Sequence, residues 1–326
     1  MINEYTAVIF FLAGTLAGIA VLDVIVSGLL ASLRLVPFRK AFRIGLLAWL
    51  IPLLMLAYGT FFGRNQYEIK RVELSFDNLP AAFDGYKIVQ ISDIHSPSFS
   101  GRGESLAEAV AMVNGLEPDL VCFTGDIITV APEELDITSG ILKDIRARDG
   151  VLSILGNHDY CTYMEGMRGT EPNLPELTKV IGKIRETGWD LLLNENRILR
   201  RGTDSIAVVG VENISVSKHF PSTGDLAKAS EGTDGMFRVL LSHDPTHWDM
   251  EVTGKDYPLT LSGHTHAMQF SLFGWCPSKY IFKQYRGLYK EGKQYLYVNI
   301  GLGETFLPSR IGTPPEITLI TLRQSK

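Results

Sequence analysis

At 326 residues, the chain is long enough for one large domain with an appendage, or for two domains. Its formal net charge of -5 argues against a basic nucleic-acid footprint, so no nucleic-acid partner is expected. The three cysteines, Cys122, Cys161 and Cys276, lie far apart, which excludes a paired metal motif and gives no sign of a disulfide framework.

In chain order, the first feature is apolar. Residues from about Tyr5 to Val36 are almost wholly apolar, and after a short basic stretch a second apolar run extends from Ile44 to Phe62. At 1.5 Å per helical residue, each is long enough to cross a hydrocarbon core of about 30 Å. The expectation is a transmembrane hairpin over residues 1–63, with helices at about 5–36 and 44–62, followed by a soluble domain over 64–326. A signal peptide fits poorly, because no basic segment precedes the first run and the second would remain unexplained. Arg34, Arg39, Lys40 and Arg43 crowd the connecting loop, whereas the N-terminal flank carries only Glu4 and the far flank Arg64, Lys70 and Arg71. The positive-inside rule then puts the loop in the cytoplasm and the soluble domain on the outer side of the cytoplasmic membrane. Asp23, inside the first run, is expected to be structural or interfacial. Gly14 and Gly18 form a small-xxx-small pair that suits either the hairpin's own contact or a dimer.

Beyond Arg64 the texture is mixed. Lys70 to Phe76 alternates and reads as a half-buried strand, and Lys87 to Ser92 reads as a second strand. Ser105 to Asn114 predicts a helix with Leu106, Ala109, Val110 and Val113 on one face. Leu120 to Thr124 predicts a strand, Glu133 to Arg148 a helix stopped at Gly150, Val151 to Leu155 a strand, and Pro175 to Thr187 a helix. Such alternation implies an α/β sheet. Then the pattern changes. Asp190 to Leu193, Ile198 to Arg200, Ser205 to Val211, Phe237 to Ser242, Pro258 to Ser262, Gln294 to Asn299 and Glu316 to Leu322 read as short strands with few helices between them. A second sheet packed on the first accommodates them.

Polar residues gather where these strands end, which is where sites form in such sheets. The clusters are Asp93-Ile94-His95, Gly125-Asp126, Gly156-Asn157-His158-Asp159, His243-Asp244 and Gly263-His264-Thr265-His266. A single Gly-Asn-His turn is a weak signal; five such clusters in succession are a strong one. Imidazole, carboxylate and amide donors together suit borderline divalent metals such as Zn, Mn or Fe. There are too many for one tetrahedral ion, and two ions bridged by a carboxylate, about 3.5–4 Å apart, would use them all.

In this order the motifs D-x-H, G-D, G-N-H-D, H and G-H-x-H resemble the calcineurin-like metallophosphoesterases, over roughly Lys87 to Leu322. The tail is similar to a bacterial membrane-associated or exported branch, through Tyr289, Tyr295 to Asn299, Gly301-Leu302-Gly303 and Arg310 to Ile317. The resemblance implies a four-layer α-β-β-α sandwich with a dinuclear centre between the sheets. It implies that Asp93, His95 and His266 hold one divalent ion, that Asn157, His243 and His264 hold another, and that Asp126 bridges them. It further implies that a bridging hydroxide attacks phosphorus while His158 protonates the leaving oxygen. Two positions depart from the pattern. Thr129 stands where many members have the aspartate that orients the catalytic histidine, and Ala267 stands where this branch often has glycine.

The substrate is less legible. Arg310 is a candidate phosphate clamp or a structural ion pair. Phe270 to Tyr289 is rich in aromatic and basic residues and suits either a lipid-phosphate rim or ordinary loop packing. His219 is expected at the surface, and His247 either near the cluster or at the surface. Three functions remain open: a membrane-anchored hydrolase of phosphomonoesters or phosphodiesters on a lipid or envelope substrate, a pyrophosphatase of the UDP-diacylglucosamine hydrolase type, and a metal-binding regulatory module without catalysis.

Overall fold

The computed structural model describes residues 4–164, 166 and 171–325, with the side chains of 4–9, 11 and 12 outside the description. Helix α1 (Glu4–Ser32) runs to a turn at Arg34. Pro37 then opens α2 (Phe38–Gly45), which continues through a tight turn (Leu46–Trp49) into α3 (Leu50–Phe61). Two stretches here, Ala13–Ser32 and Phe38–Asn65, are helical, long and apolar enough to cross a membrane. Val21, Leu22, Leu29, Leu47, Leu54 and Phe61 are exposed along them, so they are not core helices of a soluble body. The second helical stretch begins earlier than the apolar run and takes in Arg39, Lys40 and Arg43. Asp23 accepts a hydrogen bond from Ser27 at 3.2 Å and fills the space beside Gly45, so it acts within the contact between α1 and α2. Among the described residues, no atom stands within 4 Å of where a side chain would project from Gly14 or Gly18, so this pair does not serve the hairpin contact.

The rest of the chain builds two six-stranded sheets. The first has the order β1-β12-β2-β3-β4-β5, from β1 (Glu68–Phe76), β2 (Lys87–Ile91), β3 (Leu120–Phe123), β4 (Val151–Ser153), β5 (Asp190–Leu191) and β12 (Glu316–Gln324). The second has the order β10-β11-β9-β8-β7-β6, from β6 (Glu195–Arg201), β7 (Asp204–Gly210), β8 (Phe237–Leu241), β9 (Leu259–Ser262), β10 (Gly287–Glu291) and β11 (Gln294–Val298). Helices α4 (Gly103–Gly115), α5 (Ser139–Leu142) and α6 (Leu174–Glu186) cover the outer face of the first sheet. The outer layer on the second sheet is thinner, made of α7 (Leu226–Ala229) and the helical turn Trp248–Val252.

The α-β-β-α layering follows from strands buried on both faces. Along β3, Val121 and Phe123 point into the core under the helices, while Leu120 and Cys122 point into the core between the sheets. This period of two with apolar residues on both faces is what a central parallel strand requires. Gln90 joins the sheets within the second core, donating to the Ser262 carbonyl at 2.8 Å and to Thr124 Oγ1 at 3.1 Å.

Three expectations need correction, and one strand is unexpected. The segment 133–148 is not one helix but a 3-10 stretch (Pro132–Ile137) followed by the short α5. Thr138, Ser139 and Gly140 are poor helix formers, and the Thr138 hydroxyl is committed to Ser96 Oγ at 2.7 Å. The strands at 190–193 and 316–322 do not join the second sheet. β5 closes an edge of the first sheet, and β12 returns to lie parallel to β1 and antiparallel to β2. Strand β10 carries no apolar run and pairs with β11 across a tight turn.

Candidate metal centre

Strands β2, β3 and β4 are mutually parallel, as are β8 and β9. Each of the five delivers its polar cluster from its carboxyl end, and the two sheets bring these ends together. The turns are sharp. Asp93, His95, Asp126, His264 and His266 all have φ between 44° and 74°, a left-handed conformation that costs of order 1 kcal/mol or more for a residue with a side chain. Gly263 and Gly156 permit the close approach: the space their side chains would need is filled by Ser92 and Asp93, and by Asp126.

The donor atoms converge in two groups. His266 Nε2 lies 3.3 Å from Asp93 Oδ1 and 3.1 Å from His95 Nε2. His243 Nε2 lies 3.2 Å from Asn157 Oδ1 and 3.2 Å from His264 Nδ1. Asp126 Oδ2 connects them, 3.7 Å from His95 Nε2 and 3.1 Å from His243 Nε2. His158 stands beside the link, since ligand atoms of His95, Asp126 and His158 also fall within 4.8 Å of one another.

The charges suit cations. Burial, the largest single influence, pushes Asp93 and Asp126 up, but the surrounding histidines together reverse it: Asp93, with His266 foremost, falls to about 2, and Asp126, with His243 foremost, falls well below the usual carboxylate range. Burial pulls His243 down, yet Asp126 lifts it to about 10. Burial pushes His95 and His264 below the ordinary imidazole value. Two buried carboxylates and a ring of lone pairs directed at one another fit divalent ions, which would satisfy all of them together.

The surroundings orient these groups. His243 Nδ1 donates to the Thr124 carbonyl at 2.7 Å, which leaves Nε2 facing the cluster. Asn157 Nδ2 donates to the Tyr163 hydroxyl at 3.2 Å, turning its carbonyl oxygen inward. Asp244 stands behind His264 at 3.8 Å. Asp159 is buried and turned away from His158. Its carboxylate accepts from the amides of Asp126, Ile127, Ile128 and Gly156 at 2.8–3.2 Å, tying the β3 and β4 turns together.

The His158 ring has no hydrogen-bonded carboxylate among the described residues, but it has a carbonyl acceptor. Its Nδ1 donates to the Thr129 carbonyl at 2.7 Å, and its ring stacks on Tyr163 with centroids 4.4 Å apart. Behind that peptide, Glu134 Oε2 accepts from the amides of Thr129 at 2.6 Å and Val130 at 3.0 Å. Burial raises the Glu134 carboxyl above its ordinary value, against the pull of these amides. Neither Glu134 nor Tyr163 was legible in the sequence: no fixed spacing links them to a ligand motif.

Arg310 is the candidate for a phosphate clamp or a structural ion pair, and the structure places it inside its own loop. It is buried, and its guanidinium donates to the carbonyls of Gly303, Thr313 and Ile300, with Nη2 3.4 Å from His266 Nδ1. Ala267, at φ 48°, does not narrow the cluster; its methyl packs with Cys276 and Ile300. His219 is exposed. His247 is buried between Ser242 at 2.9 Å and Glu251 at 3.2 Å, so it is neither a ligand nor a surface residue. Within the aromatic segment, Phe282 packs edge-on against His264 at 5.6 Å, so part of that loop borders the centre.

The chain is similar to several known proteins. The chain is 34% identical over 254 residues to the metallophosphoesterase YkuE of Bacillus subtilis, covering 76% of this chain and 82% of that one. It is 30% identical over 296 residues to the transmembrane protein with metallophosphoesterase domain of Danio rerio, covering 87% of this chain and 64% of that longer protein. It is 28% identical over 322 residues to the UDP-2,3-diacylglucosamine pyrophosphatase LpxG of Chlamydia trachomatis, covering 82% and 93%. Residues 86–268, which hold every candidate ligand, match the family model of the calcineurin-like phosphoesterases, and the chain belongs to that family.

Proposed function

We propose that the protein is a membrane-anchored, metal-dependent hydrolase of phosphate esters. The observation that carries the reading is the convergence of Asp93, His95 and His266 on one side of Asp126 and of Asn157, His243 and His264 on the other. In this reading the first three would hold one divalent ion and the second three another, with Asp126 available to both. Zn, Mn and Fe suit the donor set. Two such ions would supply an acidified water as nucleophile and positive charge for the phosphoryl oxygens. The chain itself does the rest. His158 keeps Nδ1 on the Thr129 carbonyl and presents Nε2 to the leaving oxygen, to which it gives a proton. The left-handed turns hold the ligands without reorganisation during turnover. Arg34 in the turn after α1 and Arg39, Lys40 and Arg43 in α2 favour an orientation with the sheets outside the cytoplasm.

A second reading, cleavage of a nucleotide–lipid diphosphate, is favoured by the similarity to LpxG and requires a cytoplasmic centre. Metal content and hydrolysis of a monoester, a diester and UDP-2,3-diacylglucosamine, measured on the full chain in detergent with Asp126→Ala beside it, test both. About two ions per chain and turnover lost in the variant are expected, and the preferred ester chooses between the readings. Chains that purify with native fold but bind no divalent ion would overturn the proposal.

A further inference from the structure

A cavity of about 510 Å³ opens beside the centre, a size typical of ligand pockets. Its inner end is lined by His264 and His266, one from each ligand group. Its walls are apolar: Leu56, Met268, Phe270, Trp275, Leu307 and Ile311. Leu56 belongs to α3, inside the stretch Phe38–Asn65 that is apolar and long enough to cross a membrane. The cavity therefore runs from the candidate ligands to the wall of a membrane-spanning helix.

The walls are preformed. Ile311 N donates to the Gln269 carbonyl at 2.9 Å, Ser271 N to the Ile311 carbonyl at 2.7 Å, and Gln269 Nε2 to the carbonyls of Leu307 and Ser309. Helix α3 is docked against the same loop. Arg310 N donates to the Gly59 carbonyl at 3.2 Å, and Ser309 and the Arg310 carbonyl fill the side-chain space at Gly59 and Gly63. Beside the opening, Phe273 is 99% and Phe306 82% exposed. Large apolar side chains left bare next to a transmembrane helix belong in the bilayer interface rather than in water.

We infer that the substrate is a membrane lipid bearing the phosphate ester, with an acyl chain in this cavity and the phosphate against His264 and His266. This rests on the phosphoesterase reading above and adds the substrate class. The chain enters sideways from the bilayer along α3, so the scissile group reaches the centre without leaving the membrane. An oxygen from water bonds to phosphorus, the bond from phosphorus to the leaving oxygen breaks, and that oxygen takes up a proton. A cavity that held only a free phosphate would have no use for apolar walls of this extent.

The test uses the full chain in phosphatidylcholine nanodiscs with dioleoyl and dibutyryl forms of phosphatidic acid and phosphatidylglycerol, a monoester and a diester. Leu56→Trp fills the cavity from the helix side and Met268→Trp from the loop side, so one misfolded variant does not end the test. The expected result is that each variant lowers the ratio of dioleoyl to dibutyryl kcat/KM at least tenfold. A ratio within twofold of the unsubstituted protein in both variants overturns the cavity assignment. Binding is read separately, by crosslinking dioleoyl phosphatidic acid with a photoreactive group on its acyl chain and mapping the modified residues. Capture at 268–275 or 305–311 without turnover of any ester keeps the lipid site and overturns the hydrolase reading; neither capture nor turnover overturns both.

Discussion

At the residue scale, the Thr129 substitution is compensated by geometry. The aspartate expected opposite His158 is replaced by a peptide carbonyl, and Glu134 accepts from the N–H of that same peptide, at Val130, at 3.0 Å and from the preceding one, at Thr129, at 2.6 Å. A carboxylate bound to the amide side polarises the carbonyl that receives the histidine proton. Glu134 is therefore a positioning residue. Glu134→Ala is expected to lower kcat about tenfold for esters with poor leaving groups such as alkyl phosphates. For 4-nitrophenyl esters, which need little protonation, it should lower kcat far less, and Glu134→Gln should fall between. An equal loss on both ester types would show a role in folding only. His158→Ala should lower turnover roughly 100- to 10,000-fold with metal content unchanged. Loss of an ion by elemental analysis would instead make His158 a ligand, which its proximity to His95 and Asp126 permits.

At the element scale, the site is held by the turns that follow the parallel strands. Asp159 carries the heaviest structural duty, because it satisfies four backbone amides drawn from the ends of β3 and β4. Asp159→Ala strands those buried donors and should destabilise the chain by at least about 3 kcal/mol, read from denaturant unfolding in detergent. A change below about 1 kcal/mol would mean that water replaces the carboxylate. The ligand-bearing strands were legible because each is a short, mainly apolar run followed closely by glycine, aspartate or histidine. Less was legible at 132–145, where buried Leu135, Leu142 and Ile145 repeat at near-helical spacing. Thr138 bonds sideways to Ser96 instead, and the helix breaks there. Strand β10 escaped notice because it is a sheet edge with little apolar surface to pattern it.

At the scale of the whole molecule, two buried carboxylates in one centre couple metal binding to stability. A chelator should lower Tm, by about 5 °C for each ion present at roughly a hundred times its Kd, and added Mn or Zn should restore it. No shift in Tm would argue against bound ions. Orientation is testable with introduced thiols, because the three native cysteines are buried. Lys293→Cys lies on the exposed tip of the second sheet, and Lys40→Cys lies on the exposed basic first turns of the second helical stretch, in α2. A membrane-impermeant maleimide on intact cells should label the first and spare the second. The reverse pattern would place the centre in the cytoplasm and favour the nucleotide–lipid reading.

What the sequence determined by itself is the order and identity of the donors, the two apolar helices and the presence of two sheets. Those follow from local rules, since periodicity marks the strands and the residues at their ends cannot be moved without breaking the run. What only the tertiary structure decided depends on contacts between distant segments. β12 inserts between β1 and β2, 225 or more residues away in the chain, a pairing that no local pattern encodes. Arg310 spends its guanidinium on carbonyls of its own loop, and Glu134 stands behind the Thr129 peptide. The apolar cavity is likewise invisible in sequence, because its walls come from the apolar helix α3 and from two loops some 200 residues further along the chain, which meet only when α3 docks at Gly59 and Gly63.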